Sequence, residues 1–277
     1  MNLMEIIKAA LFGVVQGITE WLPISSTGHM ILLDELVPLN MSAEFMEMFF
    51  VVIQLGAILA VLLLFWNKLC PVSLQGKPHL KKEVLIVWPK ILLACVPAGI
   101  VGILWSDELN TLFFRVPVVI LMLILFGILF LVVEERNKGR TPAMATTKEF
   151  TYQAALWIGM FQLIAAVFPG TSRSGATIIG ALMVGVSRVA AAEFTFLLAV
   201  PVMFGASAVK LASFGLKFTA AEGTVLLTGM IVAFLVSLAA IRFLMGFIQK
   251  HDFKIFGWYR IGLAAVAAAY FGFAASS

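Results

Sequence analysis

The run Pro169-Gly170-Thr171-Ser172-Arg173-Ser174-Gly175-Ala176-Thr177 sets one guanidinium among four hydroxyls and two glycines, inside an otherwise apolar stretch. Glycine lets a backbone turn sharply and bring its N–H groups close to an anion. Arginine offers a fixed, permanently charged fork that matches phosphate oxygens. A charge at membrane depth marks a functional site. The chemistry this predicts is capture of a phosphate-like anion. A second cluster, between Gln16 and His29, complements it. Gln16 and Glu20 stand four apart and so share one face of a helix. Glu20, an acid in an apolar stretch, calls for a metal, a proton or an arginine as its partner. Ser25, Ser26 and Thr27, followed by Gly28 and His29, exceed what a helix cap requires. Beside one another and opposite Arg173, Ser26 and His29 point to nucleophilic or general acid/base chemistry.

The elements that must position these groups are membrane helices. The chain is 62% hydrophobic and 12% charged, with a mean hydropathy of +1.05. Such values belong to helical integral membrane proteins, and the long apolar runs exclude a β-barrel of short alternating strands. The formal charge of +4 is modest and reads as loop lysine rather than nucleic-acid binding. The start of the chain, with Glu5 and Lys8 before a Gly-interrupted apolar stretch, does not read as a cleaved leader. Cys70 and Cys95 suit neither a disulfide framework nor a zinc site and read as packing residues. Full-length spans are expected near 45–66, 88–106, 117–133, 191–212, 223–248 and 255–275. Residues 5–36 and 152–188 are broken by Pro and Gly and hold most of the intramembrane polar groups. Broken helices survive at that depth only where protein or a cavity satisfies the backbone. Both segments are therefore expected to be re-entrant helical hairpins.

Loop charge orients the spans. Lys68, Lys77, Lys81, Lys82 and Lys90 face only Glu83 in the 67–90 connection, and Arg136, Lys138, Arg140 and Lys148 occupy the 134–150 connection. Both are expected to be cytoplasmic, as is the 243–254 turn flanked by Arg242, Lys250 and Lys254. Asp107 and Glu108 then fall outside, and so do Lys210 and Lys217, which run against the pattern. At one constant shift along the chain, Gly13 meets Gly159, Gln16 meets Gln162, Pro23 meets Pro169, Ser26 meets Ser172 and Glu47 meets Glu193. An odd number of spans between equivalent points inverts the second copy, an arrangement familiar from transporters. The expected fold is thus all-α: six spanning helices plus two re-entrant hairpins in an inverted-topology repeat. It forms one membrane domain over 1–277, with repeat 1 near 1–140 and repeat 2 near 150–277. The hairpin tips, marked by Pro23 and Pro169, are expected to meet.

The Gln16-xxx-Glu20 pair, the Pro-x-Ser-Ser-Thr-Gly-His run at 23–29 and the Pro-Gly-x-Ser-Arg-Ser-x-x-Thr run at 169–177 closely resemble the undecaprenyl pyrophosphate phosphatases of the bacitracin-resistance family. The resemblance extends through Gln54-Leu55-Gly56-Ala57-Ile58-Leu59 and Glu193-Phe194-Thr195-Phe196-Leu197-Leu198-Ala199-Val200-Pro201, and so covers nearly the whole chain. Gln16 stands where many members carry Glu, which removes one carboxylate and leaves Glu20 the chief metal ligand, with Gln16 assisting. The resemblance implies a hydrolase that removes the terminal phosphate of a C55 polyprenyl pyrophosphate and recycles the lipid carrier of cell-wall synthesis. It further implies a divalent metal (Mg2+ or Ca2+), competition by bacitracin for the lipid, and a multi-pass protein of the bacterial inner membrane whose site opens to the outer face. A homodimer is a further expectation, and no nucleic acid is involved. In this reading Arg173, Ser172, Ser174, Thr177 and the backbone at Gly170 and Gly175 clamp phosphate, with Gln16, Ser25 and Thr27 also against the substrate. Ser26 is the preferred nucleophile with His29 as its base, and direct attack by His29 is the alternative. A flippase or transporter of a polyprenyl phosphate is the rival from another class, because fold does not fix function. Only the hydrolase needs a nucleophile beside a base.

Overall fold

In the computed structural model, which describes residues 3–73, 79–215 and 217–274, eleven α-helices carry the fold. They are α1 Leu3–Thr19, α2 Ser26–Leu36, α3 Ala43–Leu64, α4 Trp66–Leu69, α5 Lys82–Phe113, α6 Val116–Asn137, α7 Tyr152–Val167, α8 Arg173–Met183, α9 Arg188–Phe214, α10 Ala220–Phe247 and α11 Lys254–Ala274. A two-residue β pair, β1 Val72–Ser73 with β2 His79–Leu80, and a 3-10 turn at Thr147–Glu149 are the only other regular elements among the described residues. Lys77 lies outside the described residues.

Among the described residues, six helices are long and apolar enough to cross a membrane: Ala43–Leu64, Lys82–Trp105, Val116–Asn137, Arg188–Phe214, Ala220–Phe247 and Lys254–Gly272. They coincide with the six expected spans, extended by a few residues where polar caps such as Ser42, Ser187 and Thr219 start the helices. The two Pro- and Gly-broken segments are helix–turn–helix units. Their first helices, α1 and α7, have 17 and 16 residues, short of the ~20 a straight crossing takes. Proline ends them: it cannot continue the helix and pushes the preceding residue into extended backbone, as Phe168 shows with φ −113° and ψ 107°.

The two units meet turn to turn. At the outer ends of the bundle, Glu5 near the start of α1 accepts the Asn40 N–H just before α3, while Lys90 of α5 donates to the Lys148 carbonyl just before α7. Lys210 late in α9 reaches Glu47 early in α3 at 3.5 Å, so these two helices run antiparallel. The α1–α2 and α7–α8 units therefore enter from opposite ends of the bundle. Each is also packed by the other half of the chain: α1 lies mainly against α10, and α7 mainly against α5. Gly13 and Gly17 make the α1–α10 contact close, since a Cβ there would come within 2.6 Å of the Gly229 carbonyl and 2.8 Å of the Ala233 carbonyl. Small residues at such seams let helix backbones approach.

The two units differ by one residue in the turn before their second helices. Ser25 precedes α2 and Ser172 precedes α8, both eleven residues long. Ser25 and Ser172 are also the non-glycine residues with positive φ, 75° and 70°. The structural counterpart of Ser172 is thus Ser25, not Ser26, because the second turn carries one more residue after its proline. Ser26 corresponds to Arg173.

Basic residues gather at one end. There Arg188 forks onto Glu134 with hydrogen bonds of 2.6–3.1 Å, Lys254 pairs with Glu135 and Lys68 with Glu193. All three connections expected to be cytoplasmic meet at this end. Lys210, the discordant lysine, lies at the other end paired with Glu47.

Candidate active site

Each turn delivers a helix N-terminus to the middle of the bundle. Ser25 caps α2 by accepting the Gly28 N–H at 3.3 Å, and Ser172 caps α8 by accepting the Gly175 N–H at 3.2 Å. The remaining first-turn N–H groups have no intrahelical acceptor, and the positive dipole end faces the same space. Two opposed helix starts of this kind form a seat for an anion with two charged centres. The left-handed backbone at both capping serines is uncommon for a residue with a side chain, a strain of about 1–3 kcal/mol each that surrounding bonds must hold.

Glu20 lies at the centre. Its Oε1 accepts from Arg173 Nη2 at 2.9 Å, and its Oε2 accepts from Ser26 Oγ at 2.8 Å and Gln16 Nε2 at 2.9 Å. Both side chains of the ion pair are largely buried. One carboxylate thus gathers the acidic pair, a hydroxyl of the first turn and the guanidinium of the second. Arg173 also donates through Nη1 to the Thr195 carbonyl at 3.3 Å. The arginine partner expected for Glu20 is the observed one.

The expected pairing of Ser26 with His29 is not formed. Three residues along α2, the imidazole is bound to other partners. Its Nδ1 donates to the Ser25 carbonyl at 2.7 Å, and Nε2 lies 2.7 Å from Tyr259 Oη. The carbonyl can only accept, so the neutral ring carries its proton on Nδ1 and Nε2 accepts from Tyr259. The base beside Ser26 is Glu20. Ser174 and Thr177 also differ from expectation. Ser174 Oγ donates to the Glu20 carbonyl at 3.1 Å. The Thr177 hydroxyl lies 2.9 Å from the Arg173 carbonyl and 2.8 Å from Thr195 Oγ1. Both are buried and brace the guanidinium instead of lining the cleft. Ser26, Thr27, Ser172, Arg173 and His29 are the partly exposed members. Gly170, with φ +88° and a hypothetical Cβ 2.7 Å from the Val119 carbonyl, is required for the turn to lie against α6.

Sequence reasoning missed two adjacent residues of α11. Arg260 is fully buried and its guanidinium donates to the carbonyls of Thr171 at 2.8 Å, Gly170 at 2.9 Å, Pro23 at 3.3 Å and Met122 at 3.4 Å. It ties both turns to α6, stands over the Phe126 ring at 5.8 Å, and has no carboxylate partner among the described residues. Tyr259, its neighbour, holds His29. The signal was available: Arg260 is a charge inside a span, the same property that singled out Arg173. Thr195, the third omission, is an ordinary polar residue in an apolar run and carried no such mark.

The divalent cation implied by the resemblance can be tested against the donors. Glu20 supplies a carboxylate and Gln16 an amide oxygen. No group of three or more His, Cys, Asp or Glu stands together among the described residues. An oxygen-only set with one acid suits Mg2+ or Ca2+, which complete their shells with water and substrate phosphates. The residues fit a cation shared with a phosphate ligand.

The comparisons with known proteins give the family. The family model described as bacitracin resistance protein BacA matches residues 9–266. The chain is 61% identical to a Desulfitobacterium hafniense protein named undecaprenyl-diphosphatase, with 98% of each chain covered. It is 58% identical to undecaprenyl-diphosphatase 1 of Clostridium acetobutylicum, covering 98% of this chain and 99% of that one. It is also 58% identical to an Enterococcus faecalis undecaprenyl-diphosphatase, over 95% and 96% of the two chains. With its helices, its paired turns and nearly its full length accounted for, the chain belongs to the bacitracin resistance protein BacA family.

Proposed function

We propose that this protein is an undecaprenyl-diphosphatase of the bacterial cytoplasmic membrane, removing the terminal phosphate of undecaprenyl pyrophosphate and returning undecaprenyl phosphate to peptidoglycan synthesis. One observation carries the reading: the Ser26 hydroxyl donates to the Glu20 carboxylate at 2.8 Å, directly beside the Arg173 guanidinium. A transporter needs an anion clamp. A hydroxyl hydrogen-bonded to a base serves bond breaking, and the flippase alternative gives it no task.

In the proposed reaction the pyrophosphate enters between the starts of α2 and α8. Its oxygens take over Arg173 from Glu20, and the guanidinium and first-turn N–H groups meet its charge. Ser26 Oγ attacks the terminal phosphorus while its proton passes to Glu20 Oε2. The bond to the bridging oxygen breaks, and undecaprenyl phosphate leaves. Water then adds to phosphorus as the P–Oγ bond breaks; Ser26 Oγ takes its proton back from Glu20, and inorganic phosphate leaves. Gln16 orients Glu20 throughout, and Ser174 and Thr177 hold the clamp. A divalent cation bound at Glu20 and Gln16 supplies further neutralisation of phosphate charge. His29, held between Tyr259 and the Ser25 carbonyl, steadies the start of α2 beside the leaving phosphate.

The two broken helical units are re-entrant in this reading, inverted relative to one another within one membrane domain. The lysine-rich end faces the cytoplasm, and the substrate enters from the outer face. Bacitracin competes by holding the same lipid pyrophosphate, and the protein works as a homodimer. The test is phosphate release from undecaprenyl pyrophosphate by purified protein in detergent. Detergent removes the two compartments that transport requires, so release there, absent in Ser26→Ala, supports hydrolysis. Absence of release from wild type with either metal would reject it.

A further inference from the structure

At the basic end of the bundle a cavity of about 720 Å³ opens between the starts of α5 and α9. Its rim carries Lys68, Lys81, Lys82 and Lys148, and its inner wall is apolar, with Val87, Ala190 and Leu197 belonging to the core. The charges are not evenly spent. Lys68 is paired with Glu193, which also accepts from Thr147 at 3.2 Å. Lys148 is paired with Glu83. Lys81 meets only the neutral carbonyl and amide oxygens of Asn67, both at 3.3 Å, and Lys82 has no acidic partner among the described residues. The sequence from Cys70 to Lys82 contains no acid. Two ammonium groups are therefore uncompensated at the mouth of a pocket whose wall is largely apolar, with its one buried acid, Glu193, already paired.

We propose that this cavity binds an anionic phospholipid, its phosphodiester at Lys81 and Lys82 and the upper part of an acyl chain against Val87, Ala190 and Leu197. Three features select that occupant. The excess charge is positive and lies at the mouth, where a headgroup would sit. The wall beneath it offers apolar contact from Val84, Val87, Val189, Ala190 and Leu197, and its one buried acid, Glu193, is already held by Lys68 and Thr147, so it offers contact to an acyl chain and no free cation to a soluble phosphate. The two helix starts, one opening at Lys82 and one capped by Ser187, add positive dipole ends beside the rim. Basic pockets between membrane helices at the cytoplasmic boundary recognise anionic headgroups by this combination. Bound there, the lipid would tie α5 to α9 and so brace the helix on which α7 rests. The site is separate from the phosphatase groups and does not depend on the reaction assigned to them.

The test is native mass spectrometry of the purified full-length protein with phosphatidylglycerol or phosphatidylcholine of matched chains, comparing wild type with a Lys81→Ala/Lys82→Ala variant. Wild type is expected to retain phosphatidylglycerol preferentially, and the variant to lose that preference by roughly thirtyfold, about fivefold per lysine at the surface potential of such contacts. Melting of both proteins in neutral detergent, without lipid, should coincide, and phosphate release should be unchanged. Equal retention of the two lipids by wild type overturns the proposal, and so does undiminished preference in the variant. Displacement of the lipid by inorganic phosphate alone also overturns it, because the occupant would then be a soluble anion.

Discussion

Replacing Arg260 by Met separates the two things a buried guanidinium can do. The side chain is fully buried, and its two shortest bonds, at 2.8 and 2.9 Å, go to the carbonyls of Thr171 and Gly170. A buried acceptor left unmet costs about 1–3 kcal/mol, so these two alone amount to about 2–6 kcal/mol. Against this stands the relief of a buried cation that has no acidic partner, itself worth several kcal/mol. The net change in global stability is therefore expected to be small. The local change is not. Both turns lose the group that fixes them, and displacement of a reacting group by about 1 Å costs about a hundredfold in rate. Turnover of undecaprenyl pyrophosphate, normalised to the folded fraction from size exclusion and thermal melting, should fall about a hundredfold in Arg260→Met, by the same estimate. Arg260→Lys, which keeps the charge and part of the reach, should recover part of it. Near-wild-type turnover per folded Arg260→Met molecule would refute the reasoning. A loss explained wholly by unfolding would refute it equally.

Arg173→Lys should lose most activity although charge is kept, because a point charge cannot hold phosphate with two parallel bonds; phosphate release measures it. Ser26→Ala and Glu20→Gln should each abolish turnover, and the double variant should be little worse than either, since residues that act as a unit are non-additive. Lipid pyrophosphate binding to Ser26→Ala should persist. Substantial turnover by Ser26→Ala with none by His29→Ala would move the nucleophile to the imidazole. Tyr259→Phe deletes one neutral hydrogen bond to His29 Nε2 and should lower kcat about two- to tenfold, the equivalent of about 0.5–1.5 kcal/mol, with KM little changed. Chelation of divalent cations should stop phosphate release, and Mg2+ or Ca2+ should restore it.

Much of this arrangement is legible in the chain itself. Hydropathy finds the six crossing helices because lipid permits few alternatives to long apolar runs. Pro23 and Pro169 mark the turns because each is closely followed by a run of small and polar residues, whereas Pro89, Pro97 and Pro201, set among mainly apolar neighbours, stay inside helices. The opposition of Glu20 and Arg173 follows from the cost of leaving either charge alone at that depth. What could not be read is direction around a helix axis. His29 follows Ser26 by three positions, yet Tyr259, more than two hundred residues away, decides which way its ring faces. Similarly, the counterpart of Ser172 depends on one added residue after Pro169, and a search at constant shift cannot register that. Arg260 was visible as a charge in a span, but its acceptors are backbone carbonyls, and no side-chain motif announces those.

The exchange of helices between the two halves bears on how the protein is made. The seam that accepts Gly13 and Gly17 of α1 is built by α10, which emerges from the ribosome only after most of the chain has been inserted. Until then α1 rests mainly on α2 and α3, through contacts such as Phe12 with Phe49 and Phe50, and Arg260 of α11 arrives later still to pin the first turn. Contacts this distant in sequence form late in folding. A chain interrupted after α9 would hold Glu20, Ser26, His29 and Arg173 and still have no assembled cleft. Competence in this protein is thus expected only once its final span is in place, because α11 carries the guanidinium that ties the two turns together.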